Sequence, residues 1–163
     1  TLNLSHRQIE ILCILALHPH GIGLEELHYA LYGERSVSLK TLKAELSQLR
    51  SLLPHSIEPR IYRLSCEVQC DFLSAEQSLN ANLISSTFSL YKGSFLSKSE
   101  SPLLSTWRHC FDARLSQLIY QIKDIDQLLR IIGQTHDRID AVQRLLELLP
   151  QDSIHRNYFS NLI

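Results

Sequence analysis

Residues 39–53 read LKTLKAELSQLRSLL, and Leu39, Leu42, Leu46, Leu49 and Leu53 recur in them at intervals of three and four. That period puts the five leucines on one stripe of an α-helix, with Ser36 or Ser38 as cap and Pro54 as the stop. The opposite face carries Lys40, Thr41, Ala44, Ser47, Gln48 and Ser51, flanked by Lys43 and Arg50. One helix is thus apolar inside and small, polar and cation-edged outside.

Upstream, Ser5 and Gln8 have the spacing of a capping box, in which each side chain satisfies a backbone donor at the helix start. Ile9, Leu12, Cys13 and Ala16 then fall on one helical face, and the run stops at His18-Pro19-His20-Gly21. A second helix fits Leu24 to Tyr32, with Leu24, Leu27, Ala30 and Leu31 inward and Gly33 just past its end. Downstream the period changes to two. Tyr62, Leu64, Cys66, Val68, Cys70 and Phe72 alternate with polar residues, the pattern of a half-buried strand, and Pro54 and Pro59 mark an irregular lead-in. Beyond residue 72 the chain reads helical, with apolar sets at Phe72/Ala75/Leu79, Leu83/Phe88/Leu90 and Leu104/Trp107/Phe111/Leu115/Leu118/Ile122. Three more follow at Ile125/Leu128/Leu129/Ile132, Ile139/Val142/Leu145/Leu146/Leu149 and Ile154/Tyr158/Phe159/Leu162, with 97–102 as a loop.

The expected fold is mainly α. A winged helix-turn-helix (three helices plus a small β-hairpin) over 1–72 precedes an all-helical domain of short antiparallel helices over 73–163. A helix of that kind fits the major groove of B-form DNA, where small residues permit close approach and cations neutralise phosphates. The charge pattern agrees. The 163 residues carry a net charge of −1, yet residues 37–63 hold Lys40, Lys43, Arg50, Arg60 and Arg63 against Glu45 and Glu58. Residues 66–163 hold nine basic and eleven acidic side chains. A basic window in a neutral chain marks one face for an anion.

Several short motifs resemble those of OmpR/PhoB-type and SARP-type bacterial transcriptional regulators. Leu4–Leu12 is similar to their opening helix, and Leu24-Glu25-Glu26-Leu27 with Leu31-Tyr32-Gly33-Glu34 to their second. Thr41–Leu53 is similar to their recognition helix, with Gln48 where an Arg is common. Ile61-Tyr62-Arg63-Leu64 resembles the wing, with Ile61 in place of Gly. The likeness covers about residues 4–72 and is greatest to the carboxy-terminal domain of regulators with a GAF-type sensor upstream. Leu90–Leu96, with Trp107, Arg108 and Arg114, is similar to the start of the bacterial transcriptional activation domain that follows such winged helices. The resemblance implies that Lys40, Thr41, Lys43, Ala44 and Ser47 lie in or beside the major groove. Arg50 then contacts a phosphate, and Arg63 belongs to the wing; by the charge pattern alone, Arg60 and Arg63 at the expected hairpin are placed to grip a neighbouring groove or backbone.

The expected activity is sequence-specific binding of double-stranded DNA by the output region of a regulator. A homodimer and a partner such as RNA polymerase are expected with it. The competing reading is a winged-helix adaptor that binds protein and not DNA. No enzyme is expected: the five glycines form no phosphate loop, and neither G-x-S-x-G nor H-E-x-x-H occurs. No cofactor and no metal are expected either. Cys66 and Cys70 lack a second pair and read as buried core thiols, and His18, His20 and His28 read as turn and helix residues. Asp124, Asp126, Asp137 and Asp140 read as helix starts. No apolar run approaches the roughly 18 residues of a membrane span, and no signal peptide is visible, so a cytoplasmic protein with reduced thiols is expected. The chain has no Met, which marks Thr1 as the expected edge of a domain in a longer protein.

Overall fold

The computed structural model describes residues 3–135 and 137–161, with the backbone alone for 154 and 155. The chain divides into two compact units, Thr1–Cys70 with Leu96–Trp107, and Asp71–Phe95 with Arg108–Ile163.

The first unit is built on α1 (His6–Leu17), α2 (Leu24–Tyr32) and α3 (Leu39–Leu52), which pack pairwise. Ser5 and Gln8 form the expected capping box, and Ser38 caps α3 by accepting from the Thr41 N–H. The core comprises Ile11, Ile14, Leu15, Leu27, Leu31, Leu42, Leu46 and Leu49. The α3 stripe is therefore buried at its centre, while Leu39 is exposed and Leu53 is half-buried. In α1 the inward face differs from the expected one. Ile9, Leu12, Cys13 and Ala16 are only half-buried, and Ile11, Ile14 and Leu15 point inward with Glu10. Nearly every position from Ile9 to Leu17 is apolar, so periodicity does not select a face and packing against α2 and α3 does. Glu10, 1% exposed, pairs with Arg7 at 2.6 Å and accepts from the Ser99 hydroxyl, which offsets the cost of burying it. Arg7 in turn stacks over the Tyr32 ring.

Residues 96–107 are held to this unit by specific bonds. The buried Ser101 hydroxyl donates to the Ala30 carbonyl at 2.7 Å and accepts from the Leu104 N–H, which caps α6 (Pro102–Gln121). Arg35 clasps the Glu100 carboxylate at 2.8 Å and its carbonyl at 3.0 Å. Leu104 is fully buried.

The expected winged helix with a β-hairpin does not form. Among the described residues there is no strand, only isolated antiparallel bridges between Ile22 and Tyr62 and between Ile57 and Leu64. Ile22 and Tyr62 exchange both backbone hydrogen bonds, at 3.0 and 2.9 Å, and the pairing goes no further. His55 and Arg60 adopt φ of 60° and 75°, which turns the chain in the segment leading into the alternating run, and Pro54 and Pro59 there have no N–H to donate. A lone two-stranded hairpin is marginal without a packed face, and the alternating segment finds none. Val68 and Cys66 are exposed and Cys70 is half-buried, which also corrects the reading of both cysteines as core thiols.

The second unit contains α4 (Asp71–Asn80), α5 (Ile84–Leu90), the later part of α6, α7 (Ile125–Gln134), α8 (Ile139–Leu148) and α9 (Ile154–Ser160). α4 packs on α5, and α7 on α8, as short helical hairpins. Leu162 and the Ile154 side chain, expected on the last apolar face, lie outside the described residues. Asp124 caps α7 by accepting from the Asp126 N–H. Asp137 and Asp140 do more than start a helix. Asp137 accepts from the buried Tyr91 hydroxyl at 2.7 Å, and Asp140 pairs with the buried Arg138, which also meets Asp112 and the Ser116 hydroxyl. Burial, helped by the bond to Asp137, pushes the Tyr91 phenol well above its ordinary value. Burial likewise raises the Asp112 carboxyl, against the opposing pull of Arg138.

Candidate nucleic-acid interface

The outer face of α3 is set by helix geometry. Positions 40, 43, 47 and 50 repeat at three and four residues, so Lys40, Lys43, Ser47 and Arg50 stand in one row beside the buried Leu42, Leu46 and Leu49. Ala44 and Ser51 lie next to that row. Lys40, Thr41, Lys43, Ala44, Ser47 and Arg50 are all exposed. The Thr41 hydroxyl is shared with the Ser38 cap at 3.1 Å, and the Ser51 hydroxyl donates to the Ser47 carbonyl at 3.0 Å. Lys40, Lys43 and Arg50 make no hydrogen bond or ion pair among the described residues.

A groove of about 760 Å³ runs beside this row. Lys43, Ser47, Arg50 and Ser51 form one wall, and His55, Glu58 and Tyr62 of the following loop form the other. The structure thus brings together Lys43, Ser47 and Arg50, while Lys40, Thr41 and Ala44 share the helix surface outside the groove. Arg60 is exposed on the loop at positive φ and makes no polar contact among the described residues. Arg63 is engaged: its guanidinium grips both oxygens of Glu58 at 2.8 and 2.9 Å, and that carboxylate raises its pKa further. Without a hairpin, neither Arg60 nor Arg63 projects from a wing. His55 is a groove residue that the sequence reading passed over. Its signal was its place directly after Pro54, where the helix stops and the chain turns back.

The histidines and aromatic residues have other surroundings. His18 Nδ1 lies 2.7 Å from the Ile14 carbonyl and His28 Nε2 2.7 Å from the Val37 carbonyl. Among the described residues, no group of three or more His, Cys, Asp or Glu is placed to hold a metal ion. Phe111 is buried and Trp107 half-buried on α6. No helix among the described residues is long and apolar enough to cross a membrane.

No protein-family model matches the chain. Over 140 residues it is 29% identical to a protein of Rhodococcus erythropolis described as "Uncharacterized 47.3 kDa protein in thcA 5'region". The match covers 85% of this chain and 32% of that protein, so the chain spans about a third of the length of this relative.

Proposed function

We propose that the chain binds double-stranded DNA through the outer face of α3, as the output region of a cytoplasmic bacterial transcriptional regulator. The observation that carries this reading is the exposed row of Lys40, Lys43 and Arg50, which no carboxylate among the described residues neutralises. Small side chains at Ala44, Ser47 and Ser51 let the helix approach base edges in the major groove, and the cations meet phosphates on either side. The motif resemblance to OmpR/PhoB- and SARP-type regulators supports the same reading. Arg60 adds a fourth cation; Arg63, already paired with Glu58, contributes less.

Four phosphate contacts give a salt slope of about −3.6, which is weak for a specific site. Binding as a homodimer or on tandem sites therefore belongs to the proposal, with RNA polymerase as the partner at a promoter. The test replaces Lys40, Lys43 and Arg50 with Ala and measures binding to duplex DNA across a salt series. The slope is expected to fall by about 0.9 for each cation removed. An unchanged affinity and slope would sink the α3 assignment. If the unaltered protein at micromolar concentration fails to shift random duplex at low salt, the α3 face is a protein-binding surface instead.

A further inference from the structure

The first unit carries a second trough, of about 1040 Å³, on a different set of elements. α2 contributes Glu25, Glu26, Tyr29 and Ala30 to it, and the first turns of α6 contribute Pro102, Leu103, Thr106 and Trp107. Each helix therefore presents the same ridge, positions i, i+1, i+4 and i+5. Leu17, His18 and Ile22 complete the lining. Two such ridges flanking a groove are what a third helix packs against, its own side chains fitting between them. Tyr29 is 63% exposed, a large aromatic surface with nothing over it. Glu25, Glu26, Pro102 and Thr106 are exposed as well. A small ligand would stay largely wet in so open a site, whereas small-molecule pockets bury most of their ligand.

The charge of the trough is one-sided. Its lining includes two carboxylates and no Lys or Arg, and its imidazole, His18, lies with Nδ1 2.7 Å from the Ile14 carbonyl. Glu26 is partly occupied by the Gly23 N–H at 3.1 Å, and Glu25 makes no polar contact among the described residues. We propose that this trough docks an amphipathic helix of a partner protein. The docked segment is about two turns long, apolar toward Tyr29 and Trp107, and carries Lys or Arg beside Glu25 and Glu26. The proposal is independent of α3, which contributes no residue to the lining.

Trp107 is the chain's one tryptophan and reports on the site directly. The probe is a synthetic helical peptide of about 14 residues with Leu on its inner face and Lys on both flanks, compared with a version carrying Glu for Lys. The Lys peptide is expected to shift Trp107 emission to the blue and saturate, and the Glu peptide to bind about tenfold more weakly. Glu25→Lys, which leaves one carboxylate and one ammonium in the trough, is expected to abolish that preference, and Tyr29→Ala to weaken the Lys peptide about tenfold. Both residues are exposed, and circular dichroism checks that the variants keep their helices. Equal affinity of the unaltered protein for the two peptides, or an undiminished preference in Glu25→Lys, would overturn the proposal. So would the same emission shift produced by benzyltrimethylammonium alone, or by raising the protein concentration in step with dimer formation in sedimentation. The Lys40/Lys43/Arg50 alanine variant is expected to bind the Lys peptide unchanged, which separates this site from the DNA reading.

Discussion

Two sets of basic residues, five arginines of the second unit and the three cations on the outer face of α3 in the first, are used in opposite ways. In the second unit five arginines are committed to the fold, while Arg130 is exposed and makes no hydrogen bond or ion pair among the described residues. Arg138 is held by Asp112, Asp140 and Ser116, and Arg114 by Glu76 and Asn80. Arg144 donates to the Ile122 carbonyl and Glu147, Arg156 to the Leu146 and Leu149 carbonyls, and Arg108 to the Phe95 carbonyl. On α3, Lys40, Lys43 and Arg50 have no such partner among the described residues. A count of charges treats these two sets alike. A buried guanidinium that satisfies carbonyls and carboxylates is structural, because leaving those acceptors bare would cost stability. An exposed cation on a small-residue face has no such duty and remains available to an external anion.

This contrast is open to direct attack. Arg138→Ala is expected to have the largest effect, a loss of about 3 kcal/mol in urea unfolding, because it strands Asp112 and Asp140 in a partly buried site. A loss below about 1 kcal/mol would mean that the cluster is solvated and that the two sets of cations do not differ.

The next effect concerns the short bridge between the loop and α2. Gly21 has φ of 93°, and a Cβ there would collide with the Ile61 Cγ2. Gly21→Ala is expected to cost about 1–2 kcal/mol in thermal unfolding, through backbone strain and displacement of Ile61. An unaffected melting temperature would show that the Ile22–Tyr62 pairing contributes nothing to the first unit.

Tyr91→Phe is expected to cost about 1 kcal/mol, for the hydroxyl it removes from Asp137. The pH dependence has a definite sign. The folded phenol lies above its ordinary value of 10.0, so its contribution is fully present below about pH 10 and is lost as pH rises further. Absorbance at 295 nm on alkaline titration should show Tyr91 ionising only as the protein unfolds, and Tyr91→Phe should remove that late phase.

The smallest effect on stability is expected at α3. Ala at Lys40, Lys43 or Arg50 should change unfolding by no more than about 0.5 kcal/mol each, while the same changes weaken DNA binding. A large stability loss there would reveal a structural duty for those cations and erase the contrast.

Much of this was legible in the residues. The capping box at Ser5 and Gln8, the ends of α2 and α3, and the succession of short helices after residue 70 follow from local signals: caps, glycines, prolines and a period near 3.6. These act within a few residues of one another, so the sequence alone determined them. It also put Lys40, Lys43, Ser47 and Arg50 on a shared helix face, because helix geometry needs no partner to define a face.

Tertiary structure decided the rest. The alternation from Tyr62 to Phe72 promised a strand, but a strand requires a neighbour to bond and a core to cover, and only Tyr62 and Leu64 found pairing positions. α1 was apolar nearly all round, so its inward face was chosen by α2 and α3. Glu10, Ser99, Arg35 and Glu100 meet across long sequence separations that no local pattern encodes. The pairing of Arg63 with Glu58, and of Arg138 with Asp112 and Asp140, determined which cations the fold consumes. Local propensity places a charge on the chain, and only packing determines whether another part of the same chain neutralises it.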